Sequence, residues 1–439
     1  MAISRSDALH LLRRSGFAAT PQRITELAAS ADWTAAVDSV MDTSAAPFPP
    51  LPAAVHDPNL NDWYKWVAVV GWWTEVMRTS PCPIVDKMAL FFHGYHFVSG
   101  RAKNQDAETA WNQIRLFRQH ALGDYHQLAQ AVSIDPFMLS YLDNGVNRYP
   151  SKVNENFGRE ILEAFTIGRG NFTEADVVAM SRAWTGHNLT QDKKSYVFDP
   201  SAHDDGQKTL FGITKNWNGP DALTEVLKGV KAVPASRFLV SKLWLYFVGT
   251  NPTPAVVDSL AAEFRSSGLS LRTLVRSIFL RPEFRSAEAR TALVRSPVEW
   301  FVALIGALGI KATDAHPEWF LGSMGQAPLD PPNVFGWGRN ADWLASGYWW
   351  RREDCAAYLR WVATDSDWPY QRFANITSKA SPRTVADTMF EAFGIVDPSA
   401  ATRKTIEDYA ASVTGGWHGW SMRTNAIVLT ALCPEFVVG

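Results

Sequence analysis

Residues 154–185, NENFGREILEAFTIGRGNFTEADVVAMSRAWT, decide the fold class. Read at 100° per residue, the segment 155–167 puts Phe157, Ile161, Leu162 and Phe165 on one face. Glu155, Asn156, Arg159, Glu160 and Glu163 share the opposite arc. A second helical pattern fills 174–185 and has a complete start signal: Thr173 caps, Asp176 reaches back, and Phe172 can staple onto Val177. Gly186 fits the stop. The unit is two amphipathic helices joined by a short Gly-rich turn.

Working outward, the same texture fills most of the chain. Helical periodicity recurs at 4–15, 21–42, 60–79, 84–98, 106–120, 124–132 and 135–143. It resumes at 221–231, 235–247, 253–266, 270–280 and 296–309, and again at 348–363, 383–393, 400–413 and 419–431. Near 195–214 short β-prone runs flank a polar turn, which predicts a small β-hairpin or irregular insertion. The segment 327–347, rich in Pro, Gly and Trp, reads as a long ordered loop. The expectation is an all-α, multi-helix protein: a helical domain over 1–360 with a C-terminal helical subdomain, 361–439, packed on it.

Composition narrows the function classes. Of the 439 residues, 46% are hydrophobic and 20% charged, with a net charge of -2, which excludes a disordered chain. Adjacent basic pairs such as Arg13/Arg14, Lys193/Lys194 and Arg351/Arg352 are scattered, so no stripe for a nucleic-acid backbone is present. Three distant cysteines have no zinc-like spacing, and no apolar run is long enough for a membrane span. The opening residues lack an export leader, which predicts a cytoplasmic chain. The 19 tryptophans serve either a core or ring-stacking surfaces.

Six stretches together resemble a known family: HLLRRSGFAATP (10–21), MALFFHGYHF (88–97), RQHALGDYHQLAQAVSIDPFMLSYLDN (118–144), NENFGREILEAFTIGRGNFTEADVVAMSRAWTG (154–186), HDDGQKTLFG (203–212) and PPNVFGWGRNADWL (331–344). In that order they are similar to the successive blocks of a bacterial domain-of-unknown-function family, number eighteen hundred (DUF1800-like). The resemblance implies no reaction. It implies export for many relatives, and genes often placed beside another uncharacterised family that resembles sulfatases and phosphatases, which points to extracellular polymers. This chain departs at Ala183–His187, AWTGH where the family's usual run is ALTGW, and at Ala18, where a glycine is usual.

Four constellations could carry chemistry. Asp143 and Glu155, separated by a loop of 11 residues, could pair as carboxylates with separated pKa values, with Glu160 nearby and Arg159 holding one of them ionised. The plainer reading is an i,i+4 Glu155–Arg159 pair and an Asn154 cap. His203, Asp204 and Asp205 before Gly206 could form an oriented base or an Asx turn. His93, His96 and His120 could hold a metal, although no recognised ligand spacing is present. Trp337 and Trp343, with Asn333, Arg339, Asn340 and Asp342, have a sugar-site composition, or the indoles pin the loop.

The leading expectation is a glycan hydrolase. Glu155, Glu160 and Asp143 would be its acid, base or nucleophile, assisted by His203 and Asp204. Trp184, Trp337 and Trp343 would stack on rings, and Arg159, Asn333 and Arg339 would contact substrate. A metal-dependent oxidoreductase or hydrolase on the histidines, and a non-catalytic scaffold for a glycan or another partner, stay open. The sequence identifies no cofactor or metal and no oligomeric state.

Overall fold

A computed structural model of the chain describes residues 3–44, 46–104, 106–365, 373–413 and 418–438. Its architecture is all-α, with a single hydrophobic cluster running from Ile3 to Val437. The β structure among the described residues is two antiparallel hairpins, His187–Leu189 with Tyr196–Phe198 and Lys208–Leu210 with Ile213–Lys215. The β insertion expected near 195–214 is present as two hairpins, the first of which starts earlier, at His187. Gly186, at φ 78°, turns the chain directly from helix Glu174–Ala183 into the first strand.

Local chemistry places the helices. Ser4 and Asp7 form a capping box on helix Arg5–Ser15, which leaves Arg13 and Arg14 in its last turn. The Thr173–Asp176 box forms as the sequence predicts: Thr173 N–H donates to Asp176 at 2.8 Å, and Asp176 N–H donates to Thr173 Oγ1 at 3.2 Å. Asp176 also accepts from Phe211 N–H at 2.7 Å, which ties the second hairpin to this helix.

Two of the predicted helices are not regular throughout. Helix Pro83–Phe91 runs into a π turn, Phe92–His96, and helix Glu155–Glu160 into another, Ile161–Thr166. Tyr125 fastens the two turns together. Its hydroxyl donates to Phe165 O at 3.0 Å, so its 2.8 Å bond to His96 has Nε2–H as donor.

Most indoles serve the core. Trp73, Trp184, Trp217, Trp244 and Trp300 are fully buried, and Trp300 Nε1–H donates to Ala431 O at 2.8 Å, joining helix Pro297–Leu308 to helix His418–Ala431. The chain end returns to the same place, because Arg295 N–H donates to Val437 O at 2.9 Å and Val294 bridges Val438. No helix among the described residues is long and apolar enough to cross a membrane.

The 327–347 loop is ordered by turns and by one wedge. Asn333 Oδ1 accepts from Phe335 N–H at 2.9 Å, and Asp342 accepts from Arg339 N–H at 2.8 Å. Trp337 sits where a Cβ on Gly94 would be 2.3 Å away, and its N–H donates to Gly94 O at 3.2 Å. A Cβ on Gly336, at φ 86°, would stand 1.9 Å from that same carbonyl oxygen. Gly336→Ala therefore combines left-handed strain of ~1–2 kcal/mol with a backbone clash. We expect urea unfolding to show a loss of more than ~2 kcal/mol; parent-like stability would mean that the loop is not seated in this notch.

Candidate functional site

The predicted acidic pair does not meet in a dry cleft. Asp143, at φ 59°, forms an ion pair with Lys103 in which both side chains are about half exposed, and Glu155 is exposed at the start of its helix. Arg159 does not pair with Glu155. It forks onto Glu174 of the neighbouring helix at 3.0 and 2.6 Å, because the two helices pack side by side and Glu174 opens the second. Asn154 is the cap, accepting from Asn156 N–H at 2.9 Å.

Glu160 is different. Its Oε2 is buried without a hydrogen-bond partner, and burial, then the neighbouring Glu163, raises its pKa. Glu163 pairs with Arg169. The hydroxyl of Tyr141 is also pushed up, by burial and then by the charges of Asp330 and Glu160. Asp330 accepts from Arg101 at 3.0 Å, and Arg101 lies over the rings of Trp63 and Trp66. Asp330, Tyr141 and Arg101 were not singled out in the sequence.

The other predicted groups hold structure. Asp204 accepts from Arg182 at 2.6 Å and from Gly206 N–H at 2.8 Å, which is the Asx turn. Burial works against its ionisation, but the Arg182 hydrogen bond and Gly206 N–H hold the carboxyl below the usual range. His203 donates Nδ1–H to Thr185 O at 2.7 Å, so Asp204 does not orient it. Trp184 is fully covered, 5.3 Å from Phe157, and Trp337 and Trp343 are 4% and 2% exposed, so none of these rings offers a face for a sugar. Asn333 is exposed in its own turn.

The three histidines diverge. His93 packs between Trp73 and Trp337, His96 stacks on Phe91 and bonds Tyr125, and His120 caps helix Ala107–Gln119. Among the described residues no group of three or more His, Cys, Asp or Glu side chains is placed to hold a metal ion.

What the structure does bring together is a set of cations. A cavity of about 60 Å³ is bordered by Arg13 and Arg14 from the first helix and by Lys87 from helix Pro83–Phe91. Arg295 and Glu299 at the start of helix Pro297–Leu308, and Arg339, Asn340 and Trp343 from the loop, complete the charged and polar wall. Tyr95 and Tyr246 supply hydroxyl-bearing rings. Glu299 is the only carboxylate against five cations.

Glu299 is already engaged: it forms an ion pair with Lys87 and accepts from Ser296 N–H at 2.8 Å. Burial opposes its charge, but Lys87 holds its pKa below the ordinary value. Lys87 donates also to Gly16 O at 3.2 Å. The guanidinium groups are only partly satisfied: Arg13 Nη1 donates to Val438 O at 3.2 Å, Arg14 Nη2 to Ala289 O and Arg352 Nη2 to Arg295 O, and Arg295 lies over the Phe436 ring. Arg13 Nε and Nη2, Arg14 Nε and Arg295 Nη1 are buried with no hydrogen-bond partner, as are Arg352 Nε and Nη1 just behind. Burial lowers Arg13 to about 10 and Arg14 to about 9, so both stay charged at neutral pH. Arg295 is lowered well below its usual value, by burial first and then by Arg13, with Arg14 and Arg352 adding to it.

Among the described residues, this is the arrangement with surplus charge and unused donors, and it fits a small anion. Three of the stretches that carry the family resemblance, 10–21, 88–97 and 331–344, supply Arg13, Arg14, Tyr95, Arg339, Asn340 and Trp343 to it. The sequence signal was Arg13/Arg14, which in isolation is an ordinary basic helix end.

A family model described as Protein of unknown function (DUF1800) matches residues 10–438. No curated protein and no solved structure matches the chain.

Three buried imidazoles make the folded state acid-sensitive. Burial lowers His10 and His93 to about 3 and His187 to about 4, against 6.5 when exposed. These depressed values contribute stability that is present above about pH 6.5 and lost as pH falls towards 4. Each site removes about 1.4 kcal/mol per pH unit within that window. Thermal melts at pH 7.5 and 5 should show a steep fall for the parent and a shallower one for His93→Gln; equal slopes would mean that His93 protonates freely in the fold.

Proposed function

The chain belongs to the DUF1800 family, and from that premise, which fixes no reaction, we propose that it binds a small anionic ligand in the cationic cavity. One observation carries this reading: buried guanidinium N–H groups stand unpartnered beside a carboxylate already committed to Lys87. Each buried donor left unsatisfied costs ~1–3 kcal/mol, and mutual repulsion among Arg13, Arg14, Arg295 and Arg352 adds to it. Packing does not require these charges, since arginine stems alone would fill the space. An anion would satisfy the donors and remove the repulsion together.

Arg295→Met tests this, because the binding and structural roles give opposite signs. In the ligand-free protein the substitution should stabilise by about 1 kcal/mol or more, since it removes a repelled charge and keeps the stem. The parent should gain about 2.7 kcal/mol from an anion at a hundred times its Kd, and the variant little. Calorimetric melts with and without added anion read both effects. A variant less stable than the parent, in a parent that no anion stabilises, overturns the proposal.

A second reading, acid–base hydrolysis of a glycan, is favoured by Glu160. One oxygen of its carboxyl is buried without a partner, and burial and then Glu163 raise its pKa. A carboxyl whose pKa is raised by burial suits the acid of such a hydrolysis. In a screen against polysaccharides, Glu160→Gln should cut any turnover by ~10²-fold or more while Glu155→Gln leaves it unchanged. Equal activity of the two variants removes Glu160 from the chemistry.

A further inference from the structure

We propose that the group bound in the cationic cavity is a doubly charged tetrahedral oxyanion, the terminal phosphate of a monoester, rather than a carboxylate. This rests on the anion-binding reading above and concerns the shape and charge of what enters.

Charge comes first. Lys87 and Glu299 neutralise each other, which leaves the guanidinium groups of Arg13, Arg14, Arg295 and Arg339 around the cavity. A singly charged carboxylate would leave most of that surplus in place, and a dianion removes twice as much. Direction comes second. A carboxylate is planar and is satisfied by one guanidinium edge through two parallel bonds. Here the unused donors belong to different chain segments: Arg13 and Arg14 at the end of the first helix, and Arg295 ahead of helix Pro297–Leu308. Arg339 approaches from the loop, over the ring of Tyr95. Donors on three segments suit an acceptor with three free oxygens that do not share a plane.

Size comes third. About 60 Å³, against ~10–15 Å³ for one water, gives room for roughly four to six waters. That matches the five heavy atoms of a tetrahedral oxyanion, whereas the three of a carboxylate would leave part of the space to water. Half-buried Leu245, Leu293 and Asn340 also border the cavity, and the rest of a monoester would leave past them.

Titration calorimetry of the full chain with sodium phosphate, sodium sulfate and sodium acetate, at about pH 5.5 and about pH 8, tests the assignment. Inorganic phosphate passes from mainly singly to mainly doubly charged across that interval, and sulfate is doubly charged throughout. Lys242, which burial and then Arg339 lower to about 7, loses charge over the same interval and acts on both ions alike. The ratio of the phosphate and sulfate affinities therefore isolates the ligand's own charge.

We expect phosphate to gain at least ~5-fold on sulfate from the lower pH to the higher, and acetate to bind at least ~10-fold more weakly than the better dianion at about pH 8. Sulfate, doubly charged at both pH values, serves as the reference ion against which the phosphate change is read. Arg13→Gln should lose ~10-fold or more of dianion affinity, and Arg339→Gln, nearer the surface, checks the same point if Arg13→Gln fails to fold. Acetate equal to the dianions overturns the tetrahedral assignment and leaves anion binding standing. Absence of binding by all three ions overturns both.

Discussion

The ion pair between Lys87 and Glu299 organises the molecule around the cavity. Lys87 reaches from helix Pro83–Phe91 to Gly16 O, where the first helix ends, and to Glu299, where helix Pro297–Leu308 begins. Glu299 also closes the capping box with Ser296 on the latter helix. Two helix termini and the middle of a third helix are thereby held on one pair of charges. The desolvation of such a pair is costly, and its main return is geometric: it fixes where Arg13, Arg14 and Arg295 stand relative to one another.

That arrangement explains a division within the loop 327–347. Its first half turns Asp330 and Phe335 towards Arg101 and Arg169. Its second half presents Arg339, Asn340 and Trp343 to the cavity. Trp337 stands between them in the Gly94 notch. One loop therefore borders both the cationic cavity and the neighbourhood of Glu160, and a ligand anchored by its charged end in the first would be held by the same segment that lines the second.

The helices were legible because their signals are local. The Thr173–Asp176 box and the Gly186 stop each depend on residues a few positions apart, and the helix lies between them. The π turns were not legible, since Phe92–His96 and Ile161–Thr166 keep the apolar spacing of a regular helix and differ only in backbone bonding. Among site residues, Glu155 stands on the solvent side of its helix as its spacing implies, whereas Glu160 turns one oxygen into a buried position. The pairing of Arg159 was not legible, because Glu174 comes from the next helix and periodicity on one helix is silent about its neighbour. The aromatic loop composition fitted a sugar platform and a pinned loop equally well, and burial of Trp337 and Trp343 goes with the pin. The cationic cavity left almost no trace, because residues 13, 87, 295 and 339 are separated by long stretches, and each alone is a commonplace basic residue.

The indole wedged against Gly94 has a kinetic corollary. Because Trp337 anchors its segment through apolar contact and a backbone bond, Arg339 stands in position whether or not its counter-charge has arrived. An incoming ion would meet a mould set during folding, with no segment left to order, so capture would be governed by long-range attraction and diffusion and its rate would fall with ionic strength. Residence time would then depend on how well the mould fits, and a looser wedge would shorten it while leaving the speed of arrival nearly unchanged.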